Sequence, residues 1–314
     1  MDAISDVLRT QKELGEASNR TSKPRSTGIT MILVLDIANY GPDFVRPFSQ
    51  LVDKVKILDT MWHDDPATLV NAVKQYRELD IDVAFGGTQF EIATAQGRLD
   101  EYVASLKDLG ISEVEIEHNA DAVGVDAMQD EVDFFKSHGF SIVGEVGKKW
   151  AWKDPTRASR DLIHVDETIE AINAYHEAGA DLVYWEGAVV GGLIGRQLEN
   201  TEGQEQLLEV AGNVDLDRLV FEIYDRRNQP LYPMIAWLVQ MFGPNVNLAN
   251  IEPWHVKRVE WIRHGIIFEM DHPYMRWCAD PKGAEHWWEL KEMPDYSIDV
   301  QRPFALEPLQ RPAE

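Results

Sequence analysis

The sequence predicts a (β/α)8 barrel, the TIM-barrel architecture, from three observations. Short apolar runs alternate with helix-length amphipathic segments along most of the chain. Most of those runs are continuous and rich in branched residues, as parallel strands covered on both faces require. Eight of them fall within roughly 240 residues, the size of such a barrel. The competing architecture is a doubly wound sheet, whose first strand should lead into a glycine-rich phosphate turn. The segment "LDIANYGP" carries no such turn.

The strands follow in order. "ITMILVLD" (29–36) is the first, "DKVKILD" (53–59) the second, and "IDVAFGG" (81–87) the third, stopping at a glycine pair. "SEVEIEH" (112–118) is the fourth and alternates with period two. "FSIVGEV" (140–146), "DLVYWEG" (181–187), "RLVFEIY" (218–224) and "NVNLAN" (245–250) complete the set. Between them lie helical patterns. One enters at Pro66, a favourable first helical position. Three more end on Gly110, Gly139 and Gly179, each followed by a short turn and a strand. "PLYPMIAWLVQMFG" and "PWHVKRVEWIRHG" supply later helices, each closing on a glycine. The barrel is expected over 23–265. An N-terminal extension (1–22) and a Trp/Pro-rich C-terminal extension (266–314) flank it, and the aromatic tail predicts a homo-oligomer.

Composition limits the partners. The chain has 314 residues and a formal net charge of −24, with 54 acidic against 30 basic side chains. Such a surface repels phosphate backbones and anionic lipid, so neither nucleic acid nor membrane is expected as a partner. A local basic pocket still permits a small anionic substrate. The single cysteine, Cys278, cannot form an intrachain disulfide. No apolar run reaches the ~20 residues of a membrane helix, and the first residues lack the apolar core of a signal peptide. A cytoplasmic protein is the expectation.

In a (β/α)8 barrel, function sits where the strands end. The polar residues at those ends are Asp36, then Lys56 and Asp59, then Gly87, Thr88 and Gln89. They continue with Glu117, His118, Glu145, Lys148, Lys149, Glu186, Glu222, Asn247 and Asn250. Carboxylates behind apolar runs are costly to desolvate unless a cation pairs with them. Asp36, Glu145, Glu186 and Glu222 are hard oxygen donors without accompanying cysteine, which suits Mg2+ rather than zinc. The Gly86-Gly87-Thr88 turn exposes backbone N–H groups that can cradle an anion. Lys149 is a candidate general acid. No nucleophile elbow, Walker loop or Cys-x-x-Cys pair occurs.

These residues lie in stretches that resemble the phosphosulfolactate synthase family: "KPRSTGITMILVLD", "FGGTQFEIATAQGRLDEYV", "VGEVGKKW", "AGADLVYWEG", "LVFEI" and "FGPNVNLANI". The resemblance spans about residues 23–265. It implies a TIM barrel and a Mg2+-dependent addition of sulfite to phosphoenolpyruvate, in which sulfite attacks the enol carbon and a proton goes to its neighbour. It also implies roles. Lys149 matches the proton donor, Glu145, Glu186 and Glu222 match strand-end glutamates, and Lys56 matches the lysine ending the second strand. Catalysis is thus expected of Lys149, Lys56 and Glu145. Substrate binding is expected of Lys148, Gly87, Thr88, Glu117, His118, Arg226, Asn247 and Asn250, and metal binding of Asp36, Glu186 and Glu222. After the sixth strand this chain departs from the family pattern: "EGAVVGGLIG" stands where an Arg and a glycine-flanked Lys are usual, so Ala188 replaces the Arg. Arg226 and Arg227 could restore that charge. The departure keeps two alternatives open: a divergent paralogue with another substrate or nucleophile, and a non-catalytic binding protein on the same barrel.

Overall fold

The structure is a computed structural model, and it describes residues 20–58, 66–118, 125–147, 163–195, 198, 200–223 and 231–264. Eight strands close into one barrel, each hydrogen-bonded in parallel to its sequence neighbours: β1 (Thr30–Val34), β2 (Lys54–Ile57), β3 (Asp82–Phe85), β4 (Glu113–Ile116), β5 (Ser141–Val146), β6 (Leu182–Trp185), β7 (Leu219–Glu222) and β8 (Asn247–Ile251). Short helices α1 (Ile37–Tyr40) and α2 (Pro42–Val45) follow β1. Around the barrel run α3 (Pro66–Glu78), α4 (Gly87–Ala95), α5 (Leu99–Leu109), α6 (Val125–Ser137), α7 (Val165–Ala178), α8 (Gly187–Ile194), α9 (Thr201–Gly212), α10 (Leu231–Phe242) and α11 (Val256–Arg263). The expected extensions lie outside the described residues, apart from residues 20–22.

Two elements correct the sequence reading. The segment after β3, read as a tight anion-cradling turn, is the helix α4. The segment after β6 is also helical, as α8 and α9. α8 was illegible as an amphipathic helix because it has no polar face: Gly187, Val189, Val190, Gly191, Leu193 and Ile194 are all buried.

Strand parity separates two apolar shells. Ile32, Val34, Val55, Ile57, Val83, Val114, Ile116, Ile142, Val183, Trp185 and Phe221 face the helices and join the large outer core. The opposite parity faces the lumen, where Ile29, Met31, Val143, Leu182, Tyr184, Val220 and Ala249 form a second cluster. Along the hydrogen-bonded register Lys56 lines up with Ala84, and Ala84 with Glu113. The ion pairs run two residues further along β4, Lys54 to Glu113 and Lys56 to Glu115. Strands tilted as in a barrel of shear 8 give about this offset over two steps.

The N-terminal pole is closed by hydrogen-bonded and ion-paired charges. The fully buried Arg263 donates from Nη1 to Pro244 O (2.7 Å) and Val246 O (2.6 Å), and from Nη2 to Ile29 O (3.2 Å). Arg20 pairs with Glu260 at 3.1 Å, and Arg25 with Asp53 at 3.0 Å. Asn247 belongs to this pole. It opens β8, its Oδ1 accepts from Ile29 N (3.0 Å), and its Nδ2 donates to Asp217 O (2.9 Å) and Leu219 O (3.1 Å). The expectation that Asn247 binds substrate at the opposite rim is therefore overturned: it ties β8 to its neighbours.

β5 carries one glycine for a steric reason. A Cβ on Gly144 would lie 2.4 Å from two ring atoms of Tyr175, a buried α7 residue that presses on the strand. Gly144→Ala is expected to cost roughly 1–3 kcal/mol through overpacking, measured as a lower urea midpoint with an unchanged m-value. An unchanged midpoint would show that Tyr175 yields without cost.

Candidate active site

Two strands with complementary alternation build the centre of the lumen. "KVK" on β2 points Lys54 and Lys56 inward; "EVEIE" on β4 and just beyond points Glu113, Glu115 and Glu117 inward. Lys54 pairs with Glu113 in the lower layer. Lys56 Nζ sits 2.6 Å from Glu115 Oε2 and 2.8 Å from Glu222 Oε1, and lies 4.8 Å from the centroid of the Tyr184 ring. Glu145 on β5 and Glu186 after β6 join them from above. The carboxylates of Glu115, Glu117 and Glu145 offer oxygens within 4.8 Å of one another, and so do those of Glu145, Glu186 and Glu222. Glu145 is common to both triads, and all of these residues are buried.

The electrostatics follow from burial. Desolvation alone would strip the charge from Lys56. Glu115, Glu222 and Glu145 more than offset it and hold the ammonium protonated well above the ordinary lysine range. A lysine held so firmly is a poor proton relay, so its contribution is that of counter-ion to the cluster. Burial pushes the Glu115 carboxyl up to about 7; Lys56 opposes the rise, while Glu222 and Glu117 add to it. A hydrogen bond from Gly87 N to Glu115 Oε1 (3.0 Å) also engages this group.

That bond changes the role of the glycine turn. The Gly87 N–H, expected to cradle a substrate anion, is already occupied by an internal carboxylate. Gly87 is glycine because a Cβ there would lie 2.5 Å from Glu117 Cβ. Thr88 is exposed.

Other expectations are also corrected. Asp36 is exposed and not in the carboxylate cluster. Its Oδ1 accepts from Asn39 N (3.1 Å) and its Oδ2 from Asn39 Nδ2 (2.7 Å), so it caps α1 instead of joining the metal ligands. The β4 alternation that turns Glu117 inward turns His118 outward, onto α6. There His118 meets Glu131 at 2.8 Å and packs edge-on to Phe90. Glu186 does double duty, since its Oε1 also caps α8 by accepting from Ala188 N at 2.9 Å. Asn250 adopts a left-handed backbone (φ 58°) near the end of β8, a strained geometry that recurs at functional rims. Lys148, Lys149 and Arg226 lie outside the described residues.

Glu115 is the residue of the carboxylate cluster that strand-end reasoning missed, because it lies within the strand. The signal was present nonetheless. A period-two run of glutamates has only one place to put its charges in a closed barrel, which is the lumen.

The donor set fits a hard divalent cation: all oxygen, converging from β4, β5, β6 and β7. Comparison with known proteins identifies a family. The family model described as (2R)-phospho-3-sulfolactate synthase (ComA) matches residues 18–269. The phosphosulfolactate synthase of Methanocaldococcus jannaschii is 30% identical over 242 residues, covering 76% of this chain and 92% of that protein. That of Methanothermobacter thermautotrophicus is 29% identical over 253 residues, covering 79% and 92%. That of Bacillus subtilis is 30% identical over 242 residues, covering 75% and 88%.

The raised Glu115 pKa has a consequence for stability. Folding favours the protonated form, so this group contributes stability at low pH that is lost as pH rises from 4.5 to about 7. Glu115→Gln removes the titration. Relative to wild type, the variant is expected to gain on the order of 1–3 kcal/mol between pH 5 and pH 7.5, read from urea unfolding at both values. An equal gap at the two pH values would show that Glu115 stays ionised throughout.

Proposed function

The chain belongs to the phosphosulfolactate synthase family of carbon–sulfur bond-forming lyases, and from that premise we propose that it adds sulfite to phosphoenolpyruvate with Mg2+ as cofactor. The observation that carries this reading is the buried glutamate cluster around Lys56 at the functional end of the barrel. The sulfur lone pair forms the new bond to the methylene carbon. The carbon–carbon double bond opens toward the phosphate-bearing carbon, which takes up a proton. Bound Mg2+ would neutralise anionic oxygen and stabilise the negative charge that develops on the substrate.

The chain's own residues supply the rest. Glu145, Glu186 and Glu222 are the proposed ligands, with Glu117 and Glu115 beside them. Lys56 holds Glu115 and Glu222 in place and offsets part of the cluster's negative charge. Lys149, two residues beyond Gly147 at the end of β5, is proposed as the acid that delivers the proton. The barrel wall and α8 exclude water from that side of the mouth. Arg226, in the segment after β7, is proposed to meet the substrate's anionic groups, with Lys148 beside it in that role.

A second reading rests on α8. Its first turn carries Ala188 and buried apolar residues where the family pattern has cations. A paralogue acting on a less highly charged enol or carboxylate substrate, or with another nucleophile, would need fewer clamps there.

Protein stripped with a chelator and resupplied with Mg2+ is expected to consume phosphoenolpyruvate and sulfite in equal amounts, with no turnover while the chelator is in excess. Consumption of neither by the Mg2+-loaded protein favours the second reading. Lys149→Ala is expected to lower kcat about 10²–10⁴-fold, the usual contribution of a positioned acid. A kcat within a factor of a few of wild type would assign the proton to another group.

A further inference from the structure

Gln89 has a side chain that the fold leaves unsatisfied. It lies in the first turn of α4, immediately after β3, and is only 9% exposed. Its backbone N–H donates to Gly86 O at 3.3 Å, but its Oε1 is buried without a hydrogen-bond partner among the described residues. A methyl-terminated side chain of the same length would fill the space without stranding a polar atom, so packing gives no reason for a glutamine here.

Its surroundings place it at the mouth. A Cβ on Gly86 would stand 3.9 Å from Gln89 Oε1 and 3.8 Å from Lys56 Cδ. The carboxamide oxygen and the stem of Lys56 therefore border the same space over Gly86. The neighbouring donors are committed: the Gly87 N–H and the Lys56 ammonium both engage Glu115. Ionised carboxylates can only accept, and they repel an oxygen-rich anion. A carboxamide is neutral, and by turning its terminal torsion it presents either an acceptor or two N–H donors.

We propose that Gln89 is a substrate-contacting, specificity-determining residue whose carboxamide hydrogen-bonds an oxygen of the small anionic substrate on the β3 side of the barrel mouth. The substrate's identity rests on the function proposed above; the need for a ligand at this carboxamide does not.

The test compares Gln89→Met and Gln89→Glu with wild type in Mg2+, phosphoenolpyruvate and sulfite, and adds thermal unfolding without substrate. Gln89→Met is expected to unfold about 2–4 °C higher than wild type, because an unsatisfied buried amide is replaced by an apolar group of similar shape. Its KM for phosphoenolpyruvate should rise about tenfold, the loss of one good hydrogen bond, while kcat and the KM for sulfite move less than about threefold. Gln89→Glu adds a negative charge to the mouth and should raise the same KM further. An unchanged KM for phosphoenolpyruvate in both variants overturns the proposal. So does a lower Tm in Gln89→Met, which would mean that the carboxamide is satisfied within the fold. If wild type does not turn over this substrate pair, the substrate assignment fails, and the thermal comparison still decides whether Gln89 is held in reserve for a ligand.

Discussion

The ion pairs of Lys56 with Glu115 and Glu222 are the constraint on which the rest of the barrel mouth depends. Neither carboxylate could be buried at these positions without that ammonium, since a single unpaired charge in a core costs about 3–5 kcal/mol. A whole domain is stable by only about 5–15 kcal/mol. The pairing is made possible by barrel closure, which brings β2, β4 and β7 to face one another across a shared lumen. The tilt of the strands then sets which lysine meets which glutamate. Were the strands upright, Lys56 would stand level with its register partner Glu113, and the upper carboxylates would lose their counter-ion.

The two poles of the barrel handle charge in opposite ways. At the N-terminal pole, Arg263, Arg20, Arg25 and Asn247 meet carboxylates and backbone carbonyls at ordinary hydrogen-bond distances. Glu260 there is held well below the usual carboxylate range; burial would raise it, but the bond to His264 and the charges of Arg20 and Arg263 prevail. That pole is a closed structural plug. At the C-terminal pole the carboxylates outnumber Lys56, and one of them has its pKa pushed up to about 7. The difference sets the C-terminal end apart as the candidate site.

The barrel was legible because its strands are buried on both faces and read as continuous apolar runs. Glu145, Glu186 and Glu222 were legible because each follows such a run. Asp36 follows one too, yet it lies two residues beyond the last residue of β1, whereas Glu186 comes directly after β6, and it points away from the cluster to cap a helix. His118 and Glu117 are adjacent in sequence and diverge in space through parity alone. Strand-end position is therefore a coarse guide, and inward parity is the finer one. Glu115 satisfies the second without the first. Gln89 was within view, but its environment arises from α4, whose first turn reads in sequence as a glycine loop rather than a helix.

Charge balance also bears on how an anionic substrate could be accommodated. Among the described residues, Glu117, Glu145, Glu186 and Glu222 carry more formal charge than Lys56 even with Glu115 protonated. At close range and in a low-dielectric site, that excess repels any phosphate or sulfonate. The apolar first turn of α8 adds no compensating cation on the β6 side. A divalent cation bound to the glutamates would weaken that repulsion even if it touched none of the reacting atoms. The same excess gives a neutral donor such as the Gln89 carboxamide its value. It can bind an oxygen of the substrate without drawing the glutamates into a competing ion pair, as an arginine at that position would.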